Sequence, residues 1–131
     1  MTINFVISAE IPAKKEQVYV AWLNSKKHSA MTGEVAIASD KIGGNFQAWN
    51  DYIFGVNLEL VPFTKIVQSW RNVNFDENDE DSRLEVCLED KDEFTKITLT
   101  HKNVPEKEFG VKQGWIDYYF EPMQRYFLKN K

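Results

Sequence analysis

Few side chains in this sequence are equipped for chemistry. His101 is the first of them, because imidazole titrates near neutrality and is the commonest proton-transfer group. It closes a row of Ile97, Leu99 and His101 that alternates with Thr98, Thr100 and Lys102. Gln68 holds a matching place between Ile66 and Trp70. A lone imidazole or amide on an apolar face has to be hydrogen-bonded, since leaving it unpaired costs about 1–3 kcal/mol. Either core side chains such as Trp115 and Tyr119 satisfy the two, or water and a ligand do so in a cavity; both readings stay open at this level. As a general base His101 has no visible nucleophile to serve. Cys87 shares the polar face of Arg83, Glu85 and Glu89, and the chain has no Gly-x-Ser-x-Gly elbow. Glu59 and Asp117 are the acid/base partners that can be suggested, and alternation sets Glu59 opposite Leu58 and Leu60, on the outside. No catalytic residue is therefore assigned. His28, between Lys27 and Ser29, reads as a surface residue, and two histidines in such different settings make no metal site.

The remaining motifs are explained more simply without a ligand. Asp76-Glu77-Asn78-Asp79-Glu80-Asp81 offers oxygens at alternate positions, as a calcium loop does, but lacks the turn glycine and the distal bidentate glutamate. A solvated hairpin tip that discourages edge pairing accounts for it. Gly43-Gly44 lacks the strand–loop–helix setting of a phosphate loop and reads as a tight turn. No metal and no cofactor are expected. Sixteen basic against twenty acidic residues give a net charge of −4, and the four tryptophans and five tyrosines lie outside Lys/Arg clusters, so no nucleic-acid partner is expected. The single Cys87 excludes an internal disulfide and fits a reducing compartment. Met1-Thr2-Ile3-Asn4-Phe5 lacks the start of a signal peptide, and no apolar run approaches the roughly 18 residues of a membrane span. The expectation is a soluble, cytoplasmic protein.

The elements that must position His101 and Gln68 follow from hydrophobic periodicity. Ile3, Phe5, Ile7 and Ala9 predict a first strand, and the pairs Val18/Trp22 and Tyr19/Leu23 predict a helix over about 13–23. A short second helix follows to Gly33. Strands are then predicted over Glu34 to Ala38, Asn45 to Asn50, Ile53 to Val61, Lys65 to Arg71 and the alternating stretches around Leu84–Leu88 and Ile97–His101. In the third of these Phe54, Val56, Leu58 and Leu60 are expected to share one face. From about Glu106 the chain turns helical. Trp115, Tyr119, Met123 and Phe127 recur every four residues, with Ile116, Phe120 and Tyr126 alongside, and Pro122 should bend this helix or remove one of its hydrogen bonds. At 131 residues and 43% apolar composition, residues 1–131 form one domain with a substantial core, α+β in class.

Several stretches carry a resemblance. Glu10-Ile11-Pro12-Ala13, Gly43-Gly44-Asn45-Phe46, Leu60-Val61-Pro62 leading into Val67-Gln68-Ser69-Trp70-Arg71, and Gly114-Trp115 with Tyr118-Tyr119-Phe120-Glu121 together resemble the activator of heat-shock protein 90 ATPase homologue family, and more narrowly the C-terminal domain of the eukaryotic activator. That family belongs to the SRPBCC superfamily of START-like, helix-grip folds. The resemblance implies a curved antiparallel sheet of about six or seven strands wrapped on a long C-terminal helix, with an apolar cavity between them. A small apolar or aromatic molecule is the implied ligand. Trp49, Leu58, Gln68, Trp70, Leu99, His101, Trp115, Tyr119 and Met123 are the expected cavity residues. The resemblance also implies the heat-shock protein 90 chaperone as an alternative partner. The eukaryotic activator carries a separate N-terminal domain for which this length leaves no room, so an accessory contact is the expectation. A cyclase or dehydratase activity, which some superfamily members have, would need an acid/base pair in the cavity.

Overall fold

Alternation of apolar and polar residues builds most of the molecule. In the computed structural model, which describes residues 1–130, it yields β1 (Thr2–Ile11), β2 (Asn45–Ala48), β3 (Ile53–Val61), β4 (Lys65–Asn72), β5 (Ser82–Asp90) and β6 (Thr95–Pro105). These form one antiparallel sheet in the order β1-β6-β5-β4-β3-β2. The inward rows Leu84/Val86/Leu88, Ile97/Leu99/His101 and Ile66/Gln68/Trp70 are all buried. Lys96 and Lys102 point the other way into solvent.

Between β1 and β2 lie α1 (Lys15–Leu23) and α2 (Ser25–Thr32). Asn24 caps α2 by accepting from the Lys27 N–H at 2.9 Å, and Gly33, at φ 89°, ends it in the left-handed conformation that costs glycine least. The strand expected over Glu34 to Ala38 does not form. Serine hydroxyls on α2 take its backbone instead, Ser29 Oγ accepting from Ala36 N and Ser25 Oγ from Ala38 N, both at 2.8 Å, and only Ile37 bridges to Gln47.

A second departure lies in β3. Asn57 pairs with Gln68 and Glu59 with Val67, so Leu58 is an extra residue, a bulge that shifts the phase of the strand. Ile53, Asn57 and Leu60 therefore turn towards the core, whereas Phe54 and Leu58 lie on the exposed outer face. The single face expected for Phe54, Val56, Leu58 and Leu60 is thus split, with Leu58 45% exposed on the outer face.

The C-terminal helix changes register along its length. A 3-10 turn (Glu106–Glu108) leads to α3 (Val111–Trp115), a π-helical turn (Ile116–Phe120) and α4 (Glu121–Lys129). Pro122 has no N–H, and its ring would crowd the carbonyl of Tyr118 in a regular α-helix. The widened turn before it relieves that clash, with the Glu121 N–H donating five residues back to Ile116. Trp115, Tyr119, Met123 and Phe127 are buried against the sheet rows, so the expected stripe is retained through the irregularity. Among the described residues no helix is long and apolar enough to cross a membrane.

Candidate functional site

Sheet and helix do not meet everywhere. Between the β2–β4 flank and the start of the C-terminal helix is a cavity of about 640 Å³. Trp49, Tyr52, Ile53, Trp70 and Asn72 line it from the sheet side, and Lys107 to Val111, Gly114, Trp115, Tyr118 and Tyr119 from the helix side. Seven of these fourteen residues are aromatic. The wall is built by two irregular backbones. Trp49, Asn50 and Asp51 have φ of 54°, 55° and 72°, three successive left-handed residues that turn β2 into β3 and swing Trp49 towards the helix. The π-helical turn presents Tyr118 opposite it, and the two rings meet edge to face with centroids 5.2 Å apart. Gly114 keeps the helix wall thin, since a Cβ there would meet only Tyr118 Cδ2, at 3.7 Å.

The two polar residues on the inner rows find their partners inside the protein. Gln68 Oε1 accepts from Trp22 Nε1 at 3.3 Å, and its Nε2 donates to Asn57 Oδ1 at 2.8 Å. His101 is sealed in the same way. Trp115 Nε1 donates to His101 Nδ1 at 3.1 Å, which leaves the ring proton on Nε2 to donate to Ser82 Oγ at 2.8 Å; Ser82 in turn donates to the Trp70 carbonyl at 2.6 Å. Burial without a countercharge drives the His101 pKa down to about 3, so the ring is neutral at physiological pH. His28 is buried as well, contrary to the surface position expected for it. Its Nδ1 donates to the Trp22 carbonyl at 2.8 Å, and its Nε2 accepts from the Tyr119 hydroxyl at 2.9 Å. Burial lowers its pKa and raises that of Tyr119. The suggested acid/base partners do not meet His101. Glu59 pairs with Lys65 at 3.1 Å, and exposed Asp117 accepts from Gln113 at 3.0 Å. Among the described residues no group of three or more His, Cys, Asp or Glu is placed to hold a metal ion.

The family model described as "Activator of Hsp90 ATPase homolog 1-like protein" matches residues 12–127. The chain belongs to this family. A curated relative, the activator of 90 kDa heat shock protein ATPase homolog of Dictyostelium discoideum, is 27% identical over 110 residues, which cover 83% of this chain and 29% of that protein. Homolog 1 of Homo sapiens is 26% identical over 113 residues, 86% of this chain and 33% of its own length. The chain thus spans about a third of the length of the curated relatives it matches. A crystal structure of an HSP90 activator from Plasmodium falciparum superposes with a TM-score of 0.78 at 27% identity, covering 98% of this chain and 92% of that one. The helix-grip architecture implied by the resemblance is the one observed.

Of the family-inspired cavity residues, Trp49, Trp70, Trp115 and Tyr119 lie together on the wall. Gln68, Leu99, His101 and Met123 sit in the packed core beside it, and Leu58 is outside. Sequence reasoning missed Tyr52, Asn72, Glu108, Phe109, Gly114 and Tyr118 as wall residues. Gly114 carried a usable signal: a glycine inside a helix whose neighbours are bulky marks a place where a side chain is unwanted. The acidic run is also more ordered than a solvated tip. Arg71 donates to the carbonyls of Asp76 and Asp79 and pairs with Asp81 at 2.7 Å, while Lys107 meets Asp76 at 2.8 Å.

Proposed function

We propose that this domain binds a small, mostly apolar or aromatic molecule in the cavity between sheet and C-terminal helix and does not turn it over. The cavity itself carries the reading: about 640 Å³ lies within the range of small-molecule sites, and half of its wall is aromatic. The Nε1 atoms of Trp49 and Trp70 are buried without a partner among the described residues, and a ligand oxygen would supply the acceptor they lack. A role without turnover is supported by the two imidazoles, each with both ring nitrogens already engaged. At about 0.3 kcal/mol per atom, a ligand of about 20 heavy atoms would bind with about 6 kcal/mol, a Kd of tens of micromolar.

Gly114→Leu is the test. Gly114 lines the cavity and a Cβ there makes only an ordinary contact with Tyr118, while leucine has the better helix propensity, so the variant should fold and fill part of the cavity. Aromatic and lipid-like compounds that raise the wild-type Tm should leave the Tm of the variant unchanged. If no compound stabilises the wild type, or those that do stabilise the variant equally, the reading fails.

Family membership favours a second reading, an interaction module for an Hsp90 chaperone. Its support is the likeness to the Plasmodium activator over nearly the whole of both chains. Binding to Hsp90 and stimulation of its ATPase, measured up to high micromolar concentrations, decide this reading independently. Gly114→Leu should leave any such contact intact if it uses the outer surface.

A further inference from the structure

We infer that the cavity takes a ligand bearing a positively charged nitrogen, an alkylammonium or quaternary ammonium head, held by the aromatic rings of Trp49, Tyr52 and Tyr118 and by the carboxylate of Glu108. This rests on the small-molecule reading above and adds the charge of the ligand. Lys107 and Glu108 are the charged residues on the wall, and their situations differ. The Lys107 ammonium is held by Asp76 at 2.8 Å and Asp79 at 3.6 Å, so it is neutralised within the acidic loop. Glu108 has no cation among the described residues. One of its oxygens is fixed by the Nδ2 of Asn72, a residue 1% exposed, at 2.8 Å, which leaves the other oxygen free for a partner. Tyr52 stands near this carboxylate, its phenol pKa raised by burial and by Glu108, and the edge-to-face pair Trp49–Tyr118 lines the same cavity.

Ring faces are negative and attract cations, and a partly desolvated setting strengthens the attraction. The unpartnered indole N–H groups of Trp49 and Trp70 are neutral dipoles. A full negative charge outweighs them in setting the sign of a charged ligand, and leaves them to a neutral oxygen on the same molecule. Phe109 is 76% and Tyr118 56% exposed, an open aromatic rim, and the acidic segment Asp76–Asp81 reaches the same wall at Lys107, where its remaining carboxylates would draw a cation in.

Benzyltrimethylammonium, its uncharged carbon isostere neopentylbenzene and the anion benzenesulfonate separate the possibilities by titration calorimetry or tryptophan quenching on the full chain. The cation should bind at least about tenfold more tightly than the isostere. Glu108→Gln, which keeps the acceptor for Asn72, should remove most of that preference while leaving neopentylbenzene binding unchanged. Trp49→Leu should weaken the cation more than the isostere. If the isostere or the anion binds as well as the cation, or Glu108→Gln does not alter the ratio, the charge assignment is overturned while the cavity reading stands. If none of the three binds, the charge assignment is overturned; if Gly114→Leu then also changes nothing, so is the cavity reading.

Discussion

His101 makes the stability of this protein acid-sensitive in a way that can be calculated. Its ring is fully buried and carries a pKa of about 3 in the folded state, against 6.5 for the free side chain. The unfolded chain therefore binds a proton that the folded chain refuses. Stability is complete above about pH 6.5 and falls as the pH drops from there towards 3. Between pH 7.5 and 5.0 this one group removes about 2 kcal/mol, at about 1.4 kcal/mol per pH unit once the unfolded form is charged. That is a sizeable part of the roughly 5–15 kcal/mol that holds a domain of this kind. His28, whose pKa is also lowered by burial, acts in the same direction. The perturbation is His101→Gln, an uncharged side chain that can still donate towards Ser82. Urea denaturation followed by tryptophan fluorescence at pH 7.5 and 5.0 gives the stability of each protein. The variant is expected to be weaker than wild type at pH 7.5, because Trp115 Nε1 loses its acceptor, yet to lose about 2 kcal/mol less on acidification. An equal loss in both proteins would refute the assignment of a neutral, sealed imidazole.

Two further outcomes follow from the same contacts. Tyr119→Phe removes the donor to His28 Nε2 and leaves that nitrogen buried and unpaired, so a loss of about 1–3 kcal/mol is expected in denaturant melts; a variant as stable as wild type would mean the hydrogen bond contributes nothing. Arg71→Met deletes the guanidinium that gathers the carbonyls of Asp76 and Asp79 with Asp81. Faster amide hydrogen exchange across residues 76–81, with the core unchanged, is expected, and unaltered exchange there would show that the loop is ordered by something else.

Much of the fold was legible in the residues. Strict alternation in Ile97, Leu99 and His101 and in Leu84, Val86 and Leu88 specifies strands and their buried face, because side chains in a strand change sides at every residue. The four-residue recurrence of Trp115, Tyr119, Met123 and Phe127 specifies the helix and its inward stripe. The site was less legible. A row of alternation carries no mark of the extra residue at Leu58, which reverses the phase downstream. The α1 start gave no clear capping signal, and one of its free N–H groups, that of Lys15, is met by Asp90 at the end of β5.

By itself, then, the sequence determined the elements, their faces, and the need of Gln68 and His101 for partners. Which partners they took was a tertiary decision. Trp22 lies 46 residues from Gln68, and Tyr119 lies 91 residues from His28, so no local pattern encodes either contact. Together with the Trp115 and Ser82 bonds to His101, they close the centre of the core around both imidazoles. They leave the cavity at the flank, where a left-handed turn brings Trp49 against Tyr118 of the π-helical turn.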